Sequence, residues 1–165
     1  MQSCEPGREK QQTEIKSVVA GIEKQFQKGI IDSTSIHKAI ESMNHFAGSF
    51  PQDSMSAVYL FQAAGLQQTL GEFRGAIASL ERLRKDFPQS RQSAPSLFTE
   101  GFIYDSKLFR IDSAAMVYKK FLREFPQHEL IPSVRTALSN LGKSPDQIYM
   151  ELMKKKEKDS TAKSN

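Results

Sequence analysis

Tryptophan is absent from this chain, and cysteine occurs once, at Cys4. A single thiol makes no internal disulfide and completes no zinc site, so neither staple is expected to hold the fold. No run of about 18 apolar residues is present, so no segment is expected to cross a bilayer as a helix. The phosphate-binding loop, the dinucleotide fingerprint and the His-Glu metalloprotease motif are missing too. His37 and Glu41 stand four residues apart on one helical face, but two ligands are too few for a metal site. No nucleophile is set beside a base by any motif. No catalytic activity, metal, cofactor or small-molecule substrate is expected.

Charge of one sign is also scarce. The net charge is +4, yet residues 154–165 hold five lysines against Glu157 and Asp159, leaving about +1 for the rest of the chain. A nucleic-acid binder gathers its basic side chains on one face. No such gathering precedes the tail, so nucleic acid is not an expected partner.

What the chain does have is a tripeptide that returns. Phe50-Pro51-Gln52, Phe87-Pro88-Gln89 and Phe125-Pro126-Gln127 are separated by 37 and then 38 residues. Twelve residues before each proline stands an alanine: Ala39, Ala76 and Ala114. A period of this length marks stacked helical pairs, each too small to bury its own apolar face. Proline ends each unit because it lacks the amide donor and keeps the preceding residue out of helical angles. The three alanines are small enough for helices to cross closely at those points.

From Gln2 to Gln12 the chain is largely polar, with Pro6-Gly7 and several charges, which predicts a flexible tether over 1–12. Thr13 is the expected cap of the first helix, followed by a stripe of Ile15, Val18, Val19, Ile22, Phe26 and Ile30. Three units are expected over 13–52, 53–93 and 94–128. Asp53 and Asp112 are candidate helix caps. Capping helices are expected over 130–157, with Ser144-Pro145 opening the last one, and a disordered tail over 158–165.

These residues resemble tetratricopeptide repeats, a family of helix–turn–helix units with small residues where helices cross and a proline near the end. Ala64, Gly71, Phe73, Ala76, Leu80 and Leu83 fall on the family positions in the second unit. Phe98, Gly101, Phe102, Ala114, Tyr118 and Phe121 do so in the third. In the first unit, Gly29-Ile30-Ile31-Asp32 departs from the family turn. The resemblance implies an all-α, right-handed superhelical solenoid of antiparallel helix pairs with a C-terminal capping helix. It also implies a concave groove lined by the first helix of each pair. Carried onto this chain, the groove positions are Phe61, Gly65, Gln68 and Thr69 in the second unit and Thr99, Ile103, Ser106 and Lys107 in the third. Phe61 and Ile103 would supply apolar contacts there, and Gln68, Thr99 and Lys107 hydrogen bonds to a bound peptide. The dense Lys/Arg/Asn clamp used by family members that read a C-terminal carboxylate is not present.

Ser3-Cys4, followed by the polar run Glu5 to Lys10, resembles the processed end of bacterial lipoproteins, although the three residues ahead of Cys4 carry none of that family's apolar signal segment. The resemblance implies lipidation of Cys4 and a place in the cell envelope, facing the periplasm. The long repeat spacing is likewise similar to that of envelope assembly factors and coordinators. The expected function is a non-enzymatic adaptor that binds another protein or peptide. The alternatives are a soluble cytoplasmic scaffold of the same fold and a non-catalytic accessory subunit of an enzyme complex.

Overall fold

The repeated tripeptide builds the same turn three times. In each case the phenylalanine amide donates to a carbonyl four residues back: Phe50 to Phe46 at 2.9 Å, Phe87 to Leu83 at 2.8 Å and Phe125 to Phe121 at 2.9 Å. Each phenylalanine then leaves helical angles, with ψ near 60°, because a proline follows. Its carbonyl next accepts from the residue three positions on: Asp53, Ser90 and His128. In the first two turns a serine six residues on fixes the geometry further. Ser56 Oγ donates to the Phe50 carbonyl at 2.6 Å and Ser93 Oγ to that of Phe87 at 2.9 Å.

These turns join the helices of a computed structural model that describes residues 6–162. The described helices are α1 (Pro6–Gln27), α2 (Ser33–Ser49), α3 (Ser54–Thr69), α4 (Phe73–Asp86), α5 (Ser93–Ser106), α6 (Ile111–Glu124), α7 (Ile131–Asn140) and α8 (Pro145–Ala162). From α1 to α7 each helix packs on the next, and no comparable packing joins α8 to the stack. The architecture is an all-α, tetratricopeptide-like solenoid. Ala39, Ala76 and Ala114 are wholly buried, as their place at the crossings requires, and Leu80 and Tyr118 fill the space beside them. The core runs through the stack as linked clusters rather than one centre. Ile15, Ile22, Ile36 and Phe46 gather at the N-terminal end, and Leu97, Tyr118, Phe121 and Val134 at the C-terminal end.

Several boundaries differ from those read in the sequence. The first helix begins at Pro6, not after Thr13, so residues 6–12 are helix. Proline suits the first position of a helix, and the Arg, Glu, Lys and Gln that follow are good helix formers. Arg8 also pairs with Asp53 at the start of α3. Thr13 lies within the helix, with Oγ1 donating to the Glu9 carbonyl at 2.9 Å. At the other end α8 continues to Ala162, past the expected start of the tail at 158. The capping role falls to α7, whose Ser133, Arg135, Thr136 and Ser139 are exposed and leave no apolar end to cover. Asp53 caps α3 by accepting from the Met55 amide at 2.8 Å. Asp112 caps nothing: α6 starts at Ile111 behind Arg110, and Asp112 sits in the first turn, where a carboxylate favours the positive end of the helix dipole.

The turns inside the units set the register. Residues 28–32 join α1 to α2, 70–72 join α3 to α4, and 107–110 join α5 to α6, so Ile30 lies beyond α1, 50% exposed, and does not extend its stripe. The thirty-eighth residue of the third unit therefore lies in the α5–α6 turn. Gly29 and Gly71 occupy left-handed angles in the first two turns, at φ 70° and 76°. In the third turn that conformation falls on Phe109, at φ 53°.

Candidate functional site

Because the extra residue lies after α5, positions on α5 pair with those on α3 at a spacing of 37. Counting back from Pro126 shifts them by one. Ile103 is the residue this displaces. Its side chain is 0% exposed and packs with Ala64, Ala76, Ile77 and Leu80, so it lines no groove. The solvent-facing position is Phe102, 43% exposed, the counterpart of Gly65 on α3. A count forward from Phe87-Pro88 would have found it.

The other expected groove residues divide more favourably. Gly65 is exposed, and a β-carbon there would meet nothing within 4 Å. Thr69 is exposed as well, with Oγ1 donating to the Gly65 carbonyl at 3.2 Å. Phe61, Gln68, Thr99 and Ser106 are half-buried. Gln68 Nε2 donates to the Ala64 carbonyl at 3.3 Å. Lys107 is exposed, and its Nζ stands 6.0 Å from the centroid of the Phe102 ring, within reach of a cation–π contact. Phe109, missed in the sequence, is the most exposed large apolar side chain of the stack at 78%. Cys4 lies outside the described residues.

From α3 to α7 charge is partitioned between the two kinds of helix, whereas in the first unit α1 is more charged than α2. α3 carries no charged residue at all. α5 carries Glu100 and Asp105, and α7 only Arg135. By contrast, α4 holds Arg74, Glu81, Arg82, Arg84, Lys85 and Asp86, and α6 holds Asp112, Lys119, Lys120, Arg123 and Glu124. Glu100 does not reach the open face. It is buried and pairs with Arg84 of α4, whose Nη1 also donates to Ser96 Oγ at 3.2 Å. Burial pushes the Glu100 carboxyl above its ordinary pKa against the pull of Arg84. Burial likewise raises that of Asp105, which is half-buried. The open side of α3 and α5 is thus a strip of exposed Gln62, Gly65, Thr69 and Phe102 with half-buried Val58 and Thr99, and exposed Lys107 stands at its end with Nζ over Phe102. A helix without a charged side is ordinarily covered by something apolar.

At one end this strip meets an open cavity of about 730 Å³ between the first two Phe-Pro-Gln turns, with Val58, Met55, Phe87 and Arg91 in its wall. Elsewhere the polar side chains serve structure. His37 bonds Glu72 at 2.7 Å rather than its neighbour Glu41, and that hydrogen bond raises the imidazole pKa. No described helix is long and apolar enough to cross a membrane.

Stacked antiparallel helix pairs, with the first helix of each pair open on one side, define a tetratricopeptide-like helical-repeat protein. Residues 59–90 match the family model described as tetratricopeptide repeat, a span that takes in most of α3, all of α4 and the second Phe-Pro-Gln turn. No curated protein matches the chain. Repeats of this kind are protein-interaction modules whose stacked surfaces bind other proteins or peptides.

Proposed function

We propose that this protein is a non-catalytic adaptor that holds an uncharged segment of another protein against the exposed strip of α3 and α5. The observation that carries this reading is the absence of any charged residue on α3 combined with exposed Phe102 beside the open Gly65 position. An apolar side chain of the partner would seat over Gly65, where the missing β-carbon allows close approach, against Phe61 and Phe102. Gln62, Thr69 and Thr99 would take its backbone groups. Such binding is insensitive to ionic strength, because little of it is Coulombic. Phe102→Asp should abolish capture of a crosslinked partner while helicity is retained; undiminished capture by that variant would overturn the reading.

A place for the adaptor in a bacterial envelope is supported by the resemblance of Ser3-Cys4 to a lipoprotein terminus. Acyl chains on Cys4 would hold it at a membrane surface, at about 0.8 kcal/mol for each buried methylene. Confinement of the strip to that layer raises its effective concentration for partners there. Intact-mass analysis of the natively expressed protein tests the anchor. An acylated chain beginning at Cys4 supports it, and an unmodified chain beginning at Met1 moves the same adaptor to the cytoplasm.

A further inference from the structure

The repeat brings the same two positions together at successive junctions between units. His37 stands thirteen residues before Phe50, and Glu72 fifteen before Phe87. Between the first and second units His37 Nε2 and Glu72 Oε1 share a hydrogen bond of 2.7 Å. The same offsets from Phe87 and Phe125 give Arg74 and Arg110. Between the second and third units the pair is therefore two cations. They line an open cavity of about 420 Å³ together with Ile77, Tyr104, Leu108 and Ser113. No carboxylate lines it; Asp105 and Asp112, close by in the chain, lie outside. Four of the eight arginines, Arg8, Arg82, Arg84 and Arg123, hold carboxylates. Among the described residues the guanidinium groups of Arg74 and Arg110 have neither an ion pair nor a hydrogen bond. This junction lacks the anion that Glu72 supplies one unit earlier.

We infer that this cavity binds a phosphate monoester whose oxygens bridge Arg74 and Arg110. The bound anion does at this junction what Glu72 does at the one before. Charge selects the ligand. Two cations and no acid line the cavity, so a group carrying about −2 balances them, as a phosphate monoester nearly does at neutral pH. A single carboxylate leaves one cation unanswered. The planar guanidinium fork also matches phosphate oxygens in pairs. The hydroxyls of Tyr104 and Ser113 are in the same wall and can donate to a remaining oxygen. Burial, then Glu100 and Glu81, raise the Tyr104 pKa, and Arg110 draws it back, so the phenol stays a protonated donor. Ile77 and Leu108 form the apolar part of the wall, which suits the carbon side of an ester and is wasted on a bare ion. The long third turn builds the site: Phe109 takes left-handed angles, and the Arg110 amide then donates to the Tyr104 carbonyl at 2.7 Å. The cavity shares no residue with the α3–α5 strip, so it does not depend on the reading of that strip. The ester can belong to a small molecule or to a phosphorylated side chain of a partner.

Calorimetric titration of the full chain tests this in phosphate-free buffer near neutral pH. The probes are phenyl phosphate, phenyl sulfate, which has the same shape with one charge fewer, and inorganic phosphate. Phenyl phosphate should saturate a single site and bind about tenfold or more tighter than either of the others, as expected for charge-assisted hydrogen bonds. Its affinity should fall as the pH drops through the second phosphate pKa, near 6. Arg74→Gln and Arg110→Gln should each weaken it about tenfold or more, and Arg91→Gln, at an arginine outside the cavity, should not. Arg110→Glu rebuilds an acid–base pair with Arg74; it should raise the melting temperature of the ligand-free chain and abolish binding. That variant decides the matter even if a glutamine variant fails to fold. A pentapeptide with a central phosphoserine between alanines is titrated in parallel. Either ester binding through the two arginines supports the inference, and the tighter one names the source. Absence of saturable binding by both esters overturns it, as does binding indifferent to Arg74→Gln, Arg110→Gln and Arg110→Glu. Equal affinity for phenyl sulfate would remove the argument from two charges, and equal affinity for inorganic phosphate would remove the ester; each overturns the inference as well.

Discussion

Gly101 of α5 lies so close to Tyr118 of α6 that a β-carbon on it would stand 2.4 Å from Cε1 of the ring and 2.7 Å from Cδ1. The ring is 1% exposed and has no room to withdraw. Gly101→Ala should therefore overpack the crossing and destabilise the protein by roughly 1–3 kcal/mol. Gly65→Ala, in the middle of α3 with nothing within 4 Å, should instead stabilise by about 0.5–1 kcal/mol through lower chain entropy in the unfolded state. Urea unfolding of the two variants measures both. Equal effects would contradict the register of α5 described above.

The Arg84–Glu100 pair lies between the second and third units, where both side chains are mostly buried. Arg84→Met leaves a buried carboxylate without its partner and should cost about 3–5 kcal/mol at neutral pH. Arg84→Met with Glu100→Leu should recover most of that loss, because two apolar side chains need no ionic partner. The single variant also carries a pH signature. Burial already holds the folded pKa of Glu100 above its ordinary value of 4.5, and losing Arg84 raises it further. The folded state then binds the proton more tightly than the unfolded state, so stability falls as pH rises from 4.5 through the folded value. Arg84→Met should thus be least damaging in acid. A destabilisation independent of pH would show that the carboxylate is not the group responsible.

The parts of the fold that could be read from the residues were those with a local cause. A proline after an aromatic residue ends a helix wherever it stands, so all three inter-unit turns were legible. Buried Ala39, Ala76 and Ala114 followed from their fixed distance to those prolines. The site was less legible because its register crosses a turn whose length varies. One added residue between Lys107 and Arg110 moved the exposed position from Ile103 to Phe102, and hydropathy does not distinguish the two. The start of α1 was hidden for another reason: Pro6-Gly7 looks like a linker, and the pairing of Arg8 with Asp53 is a tertiary contact across 45 residues.

Asp53 does two things at once, capping α3 and receiving Arg8 from α1. Burial pushes its carboxyl pKa up, but Arg8 and the Met55 amide outweigh that and hold it below the ordinary 3.8. A lowered folded pKa adds stability above 3.8 that is lost as pH falls through the folded value. Asp53→Ala should cost about 0.5–2 kcal/mol for the cap alone at neutral pH. Asp53→Asn should cost less, since Asn caps nearly as well and only the charge on Arg8 goes unanswered. Thermal melts across the acid range test this: Asp53→Asn should converge on the parent once the pH falls below the folded value, itself below 3.8, while Asp53→Ala keeps the loss of its cap at every pH. A gap between Asp53→Asn and the parent that persisted there would assign the effect to packing.

Phe109 combines left-handed backbone angles with an exposed ring. For a residue with a β-carbon that conformation costs about 1–2 kcal/mol, and a side chain 78% exposed recovers little of it by burial. Gly29 and Gly71 hold the same conformation in the other two turns without that cost. Phe109→Gly should accordingly stabilise the protein by about 1 kcal/mol or less, part of the relief being offset by the freer unfolded chain. Phe109→Ala keeps the β-carbon and should bring no gain. The two variants lose the same aromatic ring, so any contact of Phe109 with a partner weakens equally in both. Measuring unfolding and partner capture on the pair therefore separates strain from contact. A strained turn with no binding role predicts unchanged capture in both and added stability only in the glycine variant. If alanine stabilises as much as glycine, the left-handed angles are not the source of the strain. If both lose capture, the ring that the backbone holds out at this turn is part of the binding surface.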